Sequence, residues 1–307
     1  MTPEPKMRWS ERLRTDLGRR AAVINTERGH VEVAREGYGT PVLVIHGGPG
    51  GFDQGLMYSR HLRDNGCELV ALSRPGYLRT PLSSGRTPTE QADLYAAVLD
   101  ALKIDRITVL GYSSGGPSAL HFAARHPSRV RSLLLDSAVL DHYDSSESLV
   151  ERLSLFSTFG AWFWHTVGQR WPKVAASVLV DSTTTGLDKA QRRAAVEWIM
   201  TDQERVESVQ EMLTSFAPWK LRRAGFDNDV DNEDPLAPLP IAEITCPTMI
   251  THGMNDGAVP VELAIRASES LKSAELVLID EGHHLLPVAR HFEAAMERRL
   301  EFVHSDN

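Results

Sequence analysis

Cysteine is scarce in this sequence, with only Cys67 and Cys246 among 307 residues. Two cysteines so far apart, each ahead of an apolar strand-like run, exclude a disulfide-stapled scaffold and are expected to be reduced core thiols. A long apolar run is also missing near the start, where charges recur from Arg8 to Arg20. That pattern excludes a secretory leader or membrane span there, so a cytoplasmic protein with no membrane span is expected. The stretch Trp9 to Leu17 has the spacing of a short amphipathic helix packed on the body. Basic charge is in deficit too: 33 Lys and Arg face 41 Asp and Glu, a formal net charge of −8. A nucleic-acid partner would need a basic surface, and none is expected. Internal repeats and low-complexity tracts are absent, and with 42% hydrophobic and 24% charged residues the chain is globular.

What is present is an alternation of two periods. Ala21 to Thr26 and His30 to Arg35 alternate in polarity around a glycine and read as an antiparallel hairpin. Pro41 to His46, Glu68 to Ser73, Ile107 to Gly111, Val130 to Leu135, Pro247 to Thr251 and Glu275 to Ile279 are apolar runs suited to buried strands. Between them, Pro88 to Leu102, Gly116 to Arg125, Val261 to Leu271 and Val288 to about Phe302 have helical spacing. Strands alternating with helices predict an α/β fold with a mostly parallel sheet covered on both faces.

The alternation stops between Asp141 and Pro235, where the pattern is helical throughout. Five of the six tryptophans and five of the nine phenylalanines lie there. This predicts a helical cap over 141–235 inserted into a core of 1–140 and 236–307, with Asp227 to Pro240 as an acidic, proline-containing linker. Some of the aromatics form the cap's own core, and others are expected to face a cleft beneath it. An aromatic cap is also compatible with either a monomer or a homodimer.

Three motifs carry chemistry. Gly111-Tyr-Ser113-Ser-Gly115 follows a buried strand and opens a helix, the G-x-S-x-G setting in which a serine is held on a strained turn. The letters alone arise by chance in about one chain in ten of this length; the strand–helix junction is what makes them informative. His46-Gly-Gly-Pro-Gly-Gly51 follows another strand and lacks the spacing of a phosphate loop. Its backbone can approach a reacting atom closely, so the N–H groups of Gly48 and Ser114 are the expected oxyanion donors. His46 is expected to stabilise that loop.

A serine needs a base, and the base needs a carboxylate to orient it, downstream in the order serine, acid, histidine. Asp256 follows one late strand and Glu281-Gly-His283-His284 follows the next. The expected triad is Ser113, Asp256 and His283, with His283 preferred over His284 because the preceding glycine makes it the freer loop position. Asp136, at the end of another strand, is the alternative acid. Asp105, Asp141 and Asp280 read as surface or loop-end carboxylates. No metal-ligand spacing accompanies the histidine pair, and no metal is expected.

These ordered parts resemble the α/β-hydrolase superfamily over nearly the whole chain. The resemblance implies an eight-stranded, mostly parallel sheet flanked by helices, with the second strand antiparallel, an inserted cap and no cofactor. Serine at position 113 argues against the epoxide-hydrolase and haloalkane-dehalogenase branches, which carry aspartate there. His46-Gly-Gly-Pro-Gly-Gly51 and Gly115-Gly116 are similar to the prolyl aminopeptidase branch, whose cap glutamates take a substrate amine. Glu197, Glu204, Glu207 and Glu211 stand in the cap, but the last three have the spacing of a solvated helix face. Leu72-Ser-Arg-Pro-Gly-Tyr77 looks instead like esterase-type hydrolases. The expected activity is therefore hydrolysis of small to medium apolar carboxylic esters. Prolyl aminopeptidase, carbon–carbon bond hydrolase and non-catalytic receptor follow as alternatives.

Overall fold

The computed structural model describes residues 9–142, 157–233 and 238–305. Eight strands form one sheet in the order β1-β2-β4-β3-β5-β6-β7-β8. They are β1 (Ala22–Thr26), β2 (Gly29–Gly37), β3 (Thr40–Ile45), β4 (Cys67–Leu72), β5 (Ile107–Tyr112), β6 (Val130–Asp136), β7 (Thr248–Gly253) and β8 (Ala274–Ile279). β2 runs antiparallel to both its neighbours, and every pairing from β4 to β8 is parallel. The apolar runs fall where burial is complete: all six residues of β5 and all six of β7 are buried. Each such Val, Leu or Ile contributes about 1.5–3 kcal/mol over its exposed state. The edge strand β1 is mostly exposed, and the edge strand β8 is mostly half-buried.

Helices cover both faces. Helices α2 (Phe52–Tyr58), α3 (Arg60–Asp64) and, near the C-terminus, α12 (Phe292–His304) pack on one side. On the other lie α4 (Pro88–Leu102), α5 (Gly116–Arg125) and α11 (Val261–Ser270). α1 (Trp9–Arg20) buries Leu17 against the first face, in keeping with the expected amphipathic helix. The start of α4 follows from its sequence: Thr87 and Glu90 form a reciprocal capping box with Pro88 in the first turn. The final helix begins four residues later than its apolar spacing predicts. Leu286–Val288 is a separate 3-10 turn, and His291 adopts a positive φ of 64° before α12 starts.

Between β6 and β7 the described chain is helical: α6 (Thr158–Arg170), α7 (Pro172–Thr183), α8 (Lys189–Met200), α9 (Gln203–Thr214) and α10 (Arg223–Glu233). Residues 143–156, where the cap was expected to begin, and 234–237, which hold its expected end, lie outside the described residues. The expected linker needs correction over its first half, because Asp227 to Glu233 is the end of α10. Its acidic composition misled: Phe226, Asn228 and Asp229 are buried against the core, and Asp229 has a cation there.

Two buried arginines fasten this part of the helical segment to the sheet side. Arg222 donates to both oxygens of Asp53 in α2 at 2.9 and 2.8 Å and to the Gly50 carbonyl at 2.7 Å. Arg74, after β4, donates to Asp229 at 2.7 and 2.5 Å, and Tyr77 adds its hydroxyl to Asp229. Such buried, bidentate ion pairs hold geometry, since breaking either one strands a buried charge.

Candidate active site

Ser113 stands on the turn between β5 and α5 with φ at 52°, a left-handed conformation strained for serine. The glycines around it are required by contact. A Cβ on Gly115 would lie 2.4 Å from the Ile45 carbonyl oxygen, and one on Gly111 would meet the Ala119 Cβ at 2.7 Å. The side chain of Ser113 is thereby presented at the C-terminal rim of the sheet, where open α/β sheets place their ligands.

Asp256 follows β7 and is 4% exposed. Its Oδ1 accepts the backbone N–H groups of Ala258 and Val259 at 2.8 and 2.9 Å, leaving Oδ2 to face the loop after β8. The residue it meets is His284, at 2.9 Å from Nδ1, and His284 Nε2 lies 3.0 Å from Ser113 Oγ. Burial pushes the Asp256 carboxyl up. The His284 charge and hydrogen bond outweigh this, with help from His252 and the Val259 N–H, and hold it below the ordinary value.

The expectation for His283 is therefore overturned. Its ring is fully buried on the far side of the loop, where Nδ1 accepts the Leu285 N–H at 3.2 Å, and burial drives its pKa down to about 4. The glycine did not free the next residue. Gly282 is pressed on Gly253, whose added Cβ would sit 2.4 Å from the Gly282 carbonyl oxygen. From that fixed point the chain turns His283 inward and His284 into the cleft.

The helical segment between β6 and β7 takes part in this arrangement. Thr184 bridges Asp256 in antiparallel fashion, and the Gly257 N–H and Asn255 carbonyl bond to Thr183 and Thr185. Asp136, the alternative acid, is committed elsewhere: it forms a buried ion pair at 2.7 Å with Arg299 of α12. Asp105, Asp141 and Asp280 are exposed, as their positions suggested.

Gly48 lines the same cavity as Ser113, Ser114 and His284. A Cβ on Gly48 would approach Asp229 Oδ2 to 3.0 Å and the Ser114 hydroxyl to 3.3 Å, so a larger residue here would press on both side chains. His46 stabilises the loop from beneath: its Nδ1–H donates to the Gly47 carbonyl at 2.6 Å while Nε2 accepts the Arg74 N–H at 2.9 Å. Burial, reinforced by the Arg74 charge, keeps this imidazole neutral, far below its usual pKa. Gln54 buttresses the loop, accepting from the Gly47 N–H and donating to the Pro49 carbonyl.

Above Ser113 and His284 lies a cavity of about 140 Å³, with Trp164, Leu179, Met212, Phe216 and Phe226 among its apolar lining. Trp162, Phe163 and Trp171 are exposed instead, and Trp219 is buried. Glu197, Glu204, Glu207 and Glu211 are exposed, the last two and Glu204 on one face of α9, and none lines the cavity. The carboxylates that do line it are Asp229 and Glu233 of α10, one helical turn apart; no lysine or arginine does so among the described residues. Sequence reasoning missed both, because they sit in a stretch that reads as linker. Among the described residues no group of three or more His, Cys, Asp and Glu is placed to hold a metal ion. No described helix is long and apolar enough to cross a membrane.

Comparisons with known proteins agree with this geometry. The family model for the alpha/beta hydrolase fold matches residues 40–289. An uncharacterized hydrolase of Bacillus subtilis is 28% identical over 88% of this chain and 93% of its own length. A 2-hydroxy-6-oxo-2,4-heptadienoate hydrolase of Pseudomonas putida is 24% identical over 82% of this chain and 85% of its own. Among solved structures, an alpha/beta hydrolase fold protein from Nakamurella multipartita superposes with a TM-score of 0.87 and 36% identity. The match covers 92% of this chain and 98% of that one.

Proposed function

Because the chain belongs to the alpha/beta hydrolase fold family, we propose that it hydrolyses small, uncharged carboxylic esters through an acyl-enzyme on Ser113. The observation carrying this reading is the single histidine that bridges carboxylate and serine, His284 at 2.9 Å from Asp256 and 3.0 Å from Ser113. Ser113 Oγ attacks the ester carbonyl as His284 Nε2 takes its proton, and Asp256 holds the ring and stabilises the imidazolium. The N–H groups of Gly48 and Ser114 receive the developing oxyanion. His284 then returns the proton to the leaving alcohol, and water, activated by the same ring, releases the acid.

The cavity supports a limit on the substrate. About 140 Å³ is close to the size that takes a benzene-sized group, which favours short or aromatic acyl chains. The Pseudomonas relative's name makes its substrate a carboxylate. Here, among the described residues, the cavity wall offers two carboxyl groups and no lysine or arginine, which disfavours an anionic dienoate by charge repulsion.

Turnover of graded p-nitrophenyl acyl esters by wild type and Ser113→Ala tests the proposal. Ester hydrolysis that falls with acyl length and vanishes in the variant is expected. Undiminished turnover by Ser113→Ala would overturn the mechanism, and a preference for proline p-nitroanilide would move the reading to an aminopeptidase.

A further inference from the structure

Glu233 is a cavity carboxyl with no ion-pair partner among the described residues. Asp229, on the previous turn of α10, is fully engaged by the two terminal nitrogens of Arg74 and by the Tyr77 hydroxyl. Glu233 accepts only from Ser114, and its Oε1 is buried without a hydrogen-bond partner in a wall that also borders the cleft. The groups around it offer little else. From α4 come Pro88 and Gln91, from α5 Pro117 and Ser118, and from the elbow Ser113 and Ser114. His284 lies across the cavity, and the carbonyl of Arg86 is occupied by the amides of Asn228 and Asn232. Arg74, the cation that borders it, gives both terminal nitrogens to Asp229 and makes no ion pair with Glu233.

A carboxylate here would also face the place where Gly48 and Ser114 are proposed to hold an oxyanion. Two like charges in one desolvated cleft repel, so a neutral Glu233 suits a neutral ester, whereas an ionised one suits a ligand bringing its own positive charge. Burial, and next the negative charge of Asp229, push this carboxyl up to about 7, against the Ser114 hydrogen bond and the Arg74 charge. Both forms are therefore accessible near neutrality.

We propose that Glu233 is a specificity-determining residue of this cleft: protonated, it admits neutral acyl groups, and ionised, it selects groups carrying a cationic centre such as a quaternary ammonium. This rests on Ser113 being the nucleophile but not on the ester being the natural substrate. The sign follows directly. As pH rises through its titration, Glu233 gains charge, so preference for the cationic ligand over a neutral isostere should grow.

The test uses two fluorophosphonates of equal length, one ending in tert-butyl and the other in trimethylammonium. Each labels the nucleophile by forming a Ser113 Oγ–phosphorus bond as fluoride departs and His284 takes the hydroxyl proton. A fixed charge on the probe confines the titration to the protein. In wild type, the ratio of cationic to neutral labelling rate should rise about tenfold from pH 5.5 to 8.5, the effect of one charge about 6 Å away in a partly wet cleft. Changes in His284 affect both probes alike and cancel. Glu233→Gln should flatten the ratio, while Glu207→Gln, on the exposed face of α9, should leave it rising.

A wild-type ratio independent of pH overturns the proposal without reference to any variant. So does an unchanged rise in Glu233→Gln, or a variant that slows both probes equally, which would reduce the residue to a support for Ser114. Labelling without ester turnover would reject the esterase reading and leave this one standing; no labelling by either probe would remove both.

Discussion

Replacing the two adjacent histidines one at a time gives the sharpest test of the site. His284→Asn removes the only ring within reach of both Ser113 and Asp256, leaving the serine hydroxyl without a base. General-base catalysis by a positioned side chain contributes about 10²–10⁴, and its loss from a coupled triad costs more than that alone. A fall in kcat/KM of at least about 10⁴-fold is expected, equivalent to about 5.5 kcal/mol of transition-state stabilisation. His283→Asn removes a ring that touches neither residue. Its one hydrogen bond, from the Leu285 N–H at 3.2 Å, is of ordinary strength, worth about 1 kcal/mol. The smaller amide leaves some void, so the variant should lose stability yet keep kcat/KM within about fivefold in that arithmetic. Steady-state ester kinetics with a thermal melt on each variant separates the outcomes. A His283 variant that is folded but inactive, beside a His284 variant that turns over, would refute the assignment.

Asp229→Asn should lower Tm by roughly 5–8 °C in scanning calorimetry. Stranding a buried guanidinium costs about 3–5 kcal/mol, and about 2.1 cal/mol/K of unfolding entropy per residue over 307 residues sets the conversion. The double change Arg74→Met with Asp229→Leu should recover much of the loss, and a single variant that melts within about 1 °C of wild type would contradict this account. Stability should also fall on acidification from neutrality. His46, His61 and His283 are all buried with lowered pKa values, so the unfolded chain takes up protons that the folded one refuses. Their contribution is complete above their unfolded value near 6.5 and is lost as pH drops, for His283 down to its folded value of about 4, at up to about 1.4 kcal/mol per pH unit for each ring. Urea midpoints between pH 7 and 4 check this, and His283→Asn should shallow the slope by one ring's share.

The strands were legible because six apolar runs, each bounded by turn residues, have no other place than a sheet buried on two faces. Their observed limits differ from the expected ones by no more than two residues at either end, as with Thr40–Ile45 against Pro41 to His46. The edge strand β8 carries the same pattern with less burial, since periodicity does not say which strand is outermost. The short helices α2 and α3 were invisible, being too brief for a helical period to register before β4.

Chemistry divided in the same way. The sequence alone determined that Ser113 occupies a glycine-flanked strand–helix turn, because any larger residue at 111 or 115 would strike backbone or a packed methyl. It likewise placed Asp256 and a histidine pair at the ends of two successive late strands. Which histidine faces the serine was decided only by tertiary structure, since the contact between Gly282 and Gly253 sets the rotation of the loop. The pairing of Arg74 with Asp229, and the place of Glu233 beside it, were equally beyond reach. They join residues about 150 positions apart, and an acidic stretch looks the same in sequence whether its carboxylates face water or a buried cation.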